Sequence, residues 1–191
     1  MGIINFNNIS SNFFQERFGY SSQEAGLIIS IDFLIGALCS PLIGVFADRV
    51  GKRGWMILMA TFAVFAAHIG FIITPDWNRW ADPIIILVLV GIGLAFFAAV
   101  IWPAIPLIVP DITTGSAAGF ALSFCNLGSV FGPLFVGLIS DDTSWREGYG
   151  WVSVFFAWIT VVGIGFAILN LLIDYNSDQK LNNSYYENKS K

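Results

Sequence analysis

Charged residues are scarce in this chain of 191 residues. They make up 12% of the sequence, whereas a soluble domain carries about 25%. Basic residues are scarcer than acidic ones: there are nine Lys and Arg and thirteen Asp and Glu, which gives a net charge of −4. So few cations exclude a surface that neutralises nucleic-acid phosphates. Hydrophobic residues reach 56%, which excludes a disordered chain and a soluble globular enzyme.

Cysteine and histidine are nearly absent as well. Cys39 and Cys125 lie far apart in apolar runs, and His68 is the single histidine. This composition excludes a disulfide framework and a metal site with His or Cys spacing. An acid–base pair of Asp32 and His68 would need the two side chains at hydrogen-bond distance, and no Ser, Cys or metal constellation accompanies them. We therefore predict no metal, no cofactor and no enzymatic activity.

Long hydrophobic runs dominate the sequence, and the mean hydropathy is +0.73. Five stretches hold almost no formal charge: 25–47, 54–75, 83–110, 112–140 and 148–173. Each exceeds the roughly 20 residues that a helix needs to cross a bilayer, and none shows the alternation of membrane-barrel strands. We predict an all-α membrane protein in which residues 23–173 form five transmembrane helices. Residues 1–22 would be a non-cytosolic segment, and residues 174–191 a disordered cytosolic tail.

The distribution of Lys and Arg predicts the orientation of these helices. If the loop 48–53 faces the cytosol, six of the nine Lys and Arg residues lie on the cytosolic side and three lie on the other side. Because cytoplasmic loops carry an excess of basic residues, we expect this loop and the C-terminus in the cytosol. The N-terminus would then face the opposite compartment.

The loop between the first two predicted helices has a distinctive spacing of small, acidic and basic residues. Its functional positions are Gly44, Asp48, Arg49, Gly51, Lys52 and Arg53. Gly44 permits close helix approach, Asp48 suits a neighbouring helix N-terminus, and Gly51 permits a tight reversal. Lys52 and Arg53 are expected to stay in water. The pattern resembles the signature loop of the major facilitator superfamily, which implies a gating loop; a generic positive-inside turn is the alternative.

Further motifs resemble one branch of that superfamily, the lysosomal dipeptide transporters. They are Phe14–Ala25, Ser40-Pro41, Trp102-Pro103, Val109–Asp111, Gly115–Phe120 and Asn126–Gly128. The resemblance covers roughly residues 14–173. It implies that the five spans correspond to helices eight to twelve of the family fold, and that residues 1–14 are the end of helix seven. Helices one to six would lie outside this chain.

The resemblance also implies a function and partners. A family member moves small peptides or similar solutes across the lysosomal membrane by alternating access between two bundles. The partners would be a dipeptide substrate, the bilayer, and either the missing N-terminal half or a full-length relative. A glycosylated lysosomal accessory membrane protein is implied by the family as well. The alternative is a non-transporting truncated membrane protein that associates with or regulates a full-length relative.

Four residues are candidates for substrate binding, and each also has a structural interpretation. Asp32 is the one formal charge inside a span. It is a cavity carboxylate that meets a substrate amine or carries a proton, a protonated or hydrogen-bonded helix contact, or a side chain that reaches the polar headgroups. Trp102 precedes Pro103 and Pro106, which disrupt helical bonding and are typical of a cavity wall. Ser123 and Asn126 lie on a span rich in small residues, where packing is the competing role. For His68 we predict a packing or interfacial role rather than proton relay.

Overall fold

The computed structural model describes residues 2–75, 81–141, 149–177 and 179–183, and these residues are helical apart from short turns. The helices are α1 (Gly2–Phe18), α2 (Ser22–Val50), α3 (Arg53–Ile73), α4 (Ala81–Ile108), α5 (Thr114–Ser140) and α6 (Tyr149–Tyr175). A single 3-10 turn (Asp111–Thr113) precedes α5. The described part of the chain contains no β-strand.

Five helices, α2 to α6, are long and apolar enough to cross a membrane, which confirms the predicted class. Helix α2 runs beyond its hydrophobic stretch at both ends, whereas α3 and α4 each end two residues before theirs, because local signals set the helix ends. At the start of α2, for example, the Glu24 N–H donates to the Ser21 hydroxyl, and the Ser21 N–H donates to the Glu24 carboxylate at 2.8 Å. This reciprocal capping satisfies N–H groups that the helix itself cannot bond.

Four of the spanning helices form a row in the order α2, α4, α3, α6. Helix α4 runs unbroken through Pro103 and Pro106, so the prolines do not interrupt it. Helix α5 lies apart from this row and is sparsely packed, since only Gly132 and Val136 along its length are buried. We call the end of the bundle with the α2–α3 turn the loop end.

Helix α1 fills the centre of the bundle at the end opposite to the loop end. Its apolar face carries Phe6, Phe13, Phe14 and Phe18, at the spacing of a helical stripe, and all four are buried. Phe13 lies 5.2 Å from the Phe71 ring of α3 between centroids. The sequence assigned this segment to the non-cytosolic side and to the end of a seventh helix. It is a helix in the structure, and its number in the family order stays a prediction.

The described end of the chain, residues 179–183, folds against the α2–α3 turn instead of extending away from the bundle. The sequence assigned these residues to a disordered tail. Leu181, the apolar residue in this segment, is buried, which explains why it docks. The remainder of the expected tail, residue 178 and residues 184–191, lies outside the described residues, as do residues 76–80 and 142–148 between the helices.

Candidate functional site

The turn between α2 and α3 is built by two consecutive residues with left-handed backbone. Gly51 has φ +71° and Lys52 has φ +53°, so the chain reverses without an intervening loop. Asp48 then accepts a hydrogen bond from the Arg53 guanidinium, which forms an ion pair across the turn. We refer to residues 44–53, for which the sequence predicts a gating role, as the gating loop.

The three cations of the gating loop occupy different environments. Lys52 is exposed, as predicted, but the expectation that Arg53 stays in water is wrong, because only 1% of it is exposed. Its Nη2 atom bonds Asp48, while Nε and Nη1 have no hydrogen-bond partner in the described structure. Both partners belong to the gating loop, so the Asp48–Arg53 pair ties the end of α2 to the start of α3 across the turn. Gly44 is half-buried and Arg49 is exposed.

Asp32 is fully buried where α2 crosses α4. A Cβ atom added to Gly91 of α4 would lie 2.8 Å from the Asp32 carbonyl oxygen, so the two backbones touch. The Asp32 Oδ1 atom accepts a hydrogen bond from the Phe33 N–H at 2.8 Å. Its Oδ2 atom has no hydrogen-bond partner among the described residues, although the Asn7 amide of α1 lies beside the carboxyl group. The carboxyl group thus lies at a junction of three helices rather than in an open cavity.

The other three candidate residues lie elsewhere. Trp102 is half-buried on α4 near the loop end, and Ser123 and Asn126 are exposed on α5. The Ser123 hydroxyl donates to the Gly119 carbonyl of its own helix at 2.9 Å. In the part of the chain that the structure describes, the Asn126 amide makes no hydrogen bond, and no contact joins any of these residues to Asp32. The predicted substrate residues are therefore not brought together within this chain.

A cavity of about 570 Å³ opens between α3, α4 and α6, and it contains none of the four candidates. Its walls are almost entirely apolar. The polar groups that reach it include Thr61 and Thr160, whose hydroxyls donate to carbonyls of their own helices. Among the residues that the structure describes, its lining includes no charged side chain, and its one amide side chain is that of Asn170, so the cavity offers no ionic partner for the charged ends of a peptide. We therefore do not assign it as the substrate site.

Arg17 is a structural anchor that sequence reasoning missed, since it entered only as one of the non-cytosolic cations. Its guanidinium donates to the carbonyl oxygens of Phe71 and Thr74 at the end of α3, and to the Ser153 hydroxyl of α6. A cation at a helix C-terminus also faces the negative end of the helix dipole. One side chain therefore ties α1 to two spanning helices. The sequence did offer one indication that this part of the helix is buried, namely the neighbouring residues Phe13, Phe14 and Phe18.

His68 has the packing role that the sequence predicted. It is buried on α3, where its ring stacks on Phe156 with centroids 5.3 Å apart and meets the Phe6 ring edge-to-face at the same distance. Its Nδ1 atom has no hydrogen-bond partner among the described residues, and no described carboxylate faces it. The ring thus acts as part of the aromatic core around α1.

Comparison with known proteins decides the family. The sequence profile of the Major Facilitator Superfamily matches residues 1–186. The chain belongs to this superfamily. The family assignment agrees with the spacing of the gating loop and with the apolar helices, which together show a multi-pass membrane protein.

Several curated members of the Major Facilitator Superfamily are similar to this chain. The lysosomal dipeptide transporter MFSD1 of Bos taurus is 33% identical over 189 residues, which is 99% of this chain and 38% of the relative. The human protein of the same name is 32% identical over 185 residues, or 97% of this chain and 37% of the relative. The multi-drug resistance efflux pump PmrA of Streptococcus pneumoniae is 30% identical over 135 residues, which is 67% of this chain and 32% of the relative. The chain thus spans less than two fifths of their length.

Proposed function

We propose that this chain is one part of a Major Facilitator Superfamily transporter that moves small peptides, dipeptides among them, across the lysosomal membrane by alternating access. The superfamily match and the MFSD1 relatives support transport and this substrate class. In this proposal the gating loop faces the cytosol, and the missing partner is a second helical bundle. The observation in this chain that carries the proposal is the position of Asn126.

Asn126 exposes a polar amide in the middle of an apolar spanning helix. On α5 it is flanked by exposed Phe124 and Leu127, and its side chain has no hydrogen-bond partner in the described residues. Such an amide is costly in hydrocarbon, so this face of α5 requires a polar surrounding. A transport pathway between two bundles supplies one. We propose that Asn126 and Ser123 line it from α5, together with Trp102 from α4.

Asp32 has a different place in this proposal. A carboxylate that is fully buried beside a helix crossing cannot meet a substrate amine in the described arrangement. It reaches the pathway only in an arrangement in which α2 and α4 have separated, which is a larger change than the rocking of one bundle against the other. We keep Asp32 as a proposed substrate-binding residue of that second arrangement.

The function is tested by measuring dipeptide uptake in three kinds of cell. The first expresses the chain alone, the second expresses it together with the N-terminal portion of the bovine relative, and the third expresses neither. We expect uptake only with the complementing portion, because one bundle supplies half a pathway. Co-purification with a full-length relative, without any uptake of its own, would instead support the alternative of a regulatory truncated protein.

Replacing Asn126 with Leu tests the proposed pathway face. We expect dipeptide uptake by the complemented transporter to fall about ten-fold, because a lost hydrogen bond to a ligand is worth about 1.4 kcal/mol. Protein abundance should not fall, because the Asn126 side chain is exposed and makes no hydrogen bond among the described residues that Leu would break. Leu127→Ala, on an adjacent exposed position, is the matched control. Unchanged uptake in Asn126→Leu would remove this residue from the site.

Replacing Asp48 with Ala tests the gate. The substitution removes the side-chain partner of the buried Arg53 guanidinium, so the ion pair across the turn is lost and we expect impaired uptake. Leaving that guanidinium unpaired also lowers stability, so uptake is compared per amount of protein in the membrane. The control is Asp141→Ala, which removes an exposed carboxylate at the other end of the bundle. If Asp48→Ala transports like the wild type at equal abundance, the loop is a passive turn.

A further inference from the structure

The residues that follow α6 form a compact turn. The backbone N–H groups of Asn182 and Asn183 both donate to the Gln179 carbonyl, at 3.1 and 2.9 Å. We call residues 179–183 the tail turn. Its apolar residue, Leu181, is 4% exposed, so the turn is packed against the bundle rather than solvated. The bonds that it makes outside itself show what holds it there.

The tail turn completes the N-terminus of α3. The Lys52 N–H donates to the Asn182 carbonyl at 3.0 Å, and the Arg53 N–H donates to the Leu181 carbonyl at 2.9 Å. The first N–H groups of a helix have no partner within the helix. A side-chain cap normally supplies one, but Lys52 at the cap position makes no such bond. The far end of the chain therefore caps the helix that carries the buried Arg53.

Asp174 fixes the tail turn in this position. It lies in the last turn of α6 and is buried, and its two carboxylate oxygens accept from the Leu181 N–H at 2.9 Å and from the Asn182 side-chain amide at 2.8 Å. Its backbone carbonyl accepts a further bond from the Gln179 N–H. One aspartate thus holds both residues whose carbonyls cap α3.

The contact between the tail turn and the gating loop leaves no free space. A Cβ atom on Gly51 would lie 2.6 Å from the Asn182 carbonyl oxygen, and the positive φ of Gly51 disfavours other residues in any case. Because the two backbones are in direct contact, the gating loop cannot change its conformation at Gly51 and Lys52 while the tail turn stays bound.

We propose that the tail turn is a latch on the gating loop, bound in the arrangement described here and released when the Asp48–Arg53 loop rearranges, with Asp174 as the residue that positions it. The role in transport rests on the proposed function, whereas the latch contact does not. The latch adds an element outside the five spans to the machinery that controls the gate.

Hydrogen exchange of the intact chain in lipid nanodiscs tests the contact directly. In Asp174→Ala we expect the amides of residues 52 and 53 to exchange about ten-fold faster or more, because their acceptors are no longer held. Ser177→Ala is the matched control, since this exposed hydroxyl donates only to the Ile173 carbonyl. Peptides from the middle of α6 should keep their protection in both variants. Equal exchange at residues 52 and 53 in wild type and Asp174→Ala would overturn the latch.

A cross-link tests release. The backbones of Lys52 and Asn182 are joined by one hydrogen bond, so Lys52→Cys with Asn182→Cys is bridged with a short bis-methanethiosulfonate reagent, which does not require the direct S–S geometry of a disulfide. In the complemented transporter we expect the bridge to suppress uptake and a reductant to restore it. Cross-linked protein that transports as fast as its reduced form would show that release is not required. If no form transports while Asp174→Ala still loses protection at residues 52 and 53, the proposed function fails and the latch contact stands.

Discussion

Arg17→Met is expected to destabilise the bundle by about 3–5 kcal/mol. The side chain is 4% exposed and supplies hydrogen bonds to the Phe71 and Thr74 carbonyls and to Ser153. Hydrogen bonds from charged groups contribute about 1.5–3 kcal/mol each, and the α3 carbonyls would remain buried without this donor. The guanidinium also lies over the Phe18 ring, 4.9 Å from its centroid, which adds a cation–π contact.

The measurement is the free energy of unfolding from SDS titration in mixed micelles. Arg17→Lys should recover part of the loss, because it keeps the charge but not the planar fork of donors. Arg49→Met is the control, since it removes an exposed cation and should change stability by less than about 0.5 kcal/mol. Equal stability of Arg17→Met and Arg49→Met would contradict the anchoring role of Arg17.

Gly91→Ala is expected to destabilise the pairing of α2 and α4 by about 2 kcal/mol. The added methyl group would lie 2.8 Å from the Asp32 carbonyl oxygen and 3.0 Å from its Cα atom. Both are backbone atoms, so the helices must separate to accept the group, and such overpacking costs about 1–3 kcal/mol. The same micelle titration measures the effect.

Gly119→Ala provides a control with the opposite expected sign. A Cβ atom at this position of α5 meets nothing within 4 Å. The substitution should therefore leave stability unchanged or raise it by up to about 1 kcal/mol, the difference in helix propensity between Ala and Gly. If the two alanine variants change stability by the same amount, the close approach at Gly91 does not limit the packing of α2 on α4.

The helices of this chain follow from local patterns in the sequence. Uninterrupted apolar runs predict the five spans, and Ser21 with Glu24 places the start of α2 through a capping box. The tight reversal at Gly51 is also predicted locally, from the glycine itself. Helix α1 is harder to predict, because its Asn and Ser residues lower its hydropathy. Only the spacing of its phenylalanines indicates its buried face.

Contacts between distant segments could not be predicted in the same way. Arg53 is buried, and its helix is capped by Leu181 and Asn182, which lie at the far end of the sequence. Arg17 finds its acceptors on α3 and α6. Neither pairing has a local signature, since both depend on which helices pack together. The exposure of Asn126 has the same origin, because it reflects the sparse packing of α5.

Counterflow in proteoliposomes tests most directly whether this chain forms part of an alternating-access carrier. The purified complex of the chain with the complementing portion is reconstituted into vesicles that are loaded with an unlabelled dipeptide and diluted into a trace of the labelled one. We expect transient accumulation of label that depends on this chain and is reduced by Asn126→Leu. A folded, correctly assembled complex that exchanges no dipeptide would show that the chain is not part of such a carrier.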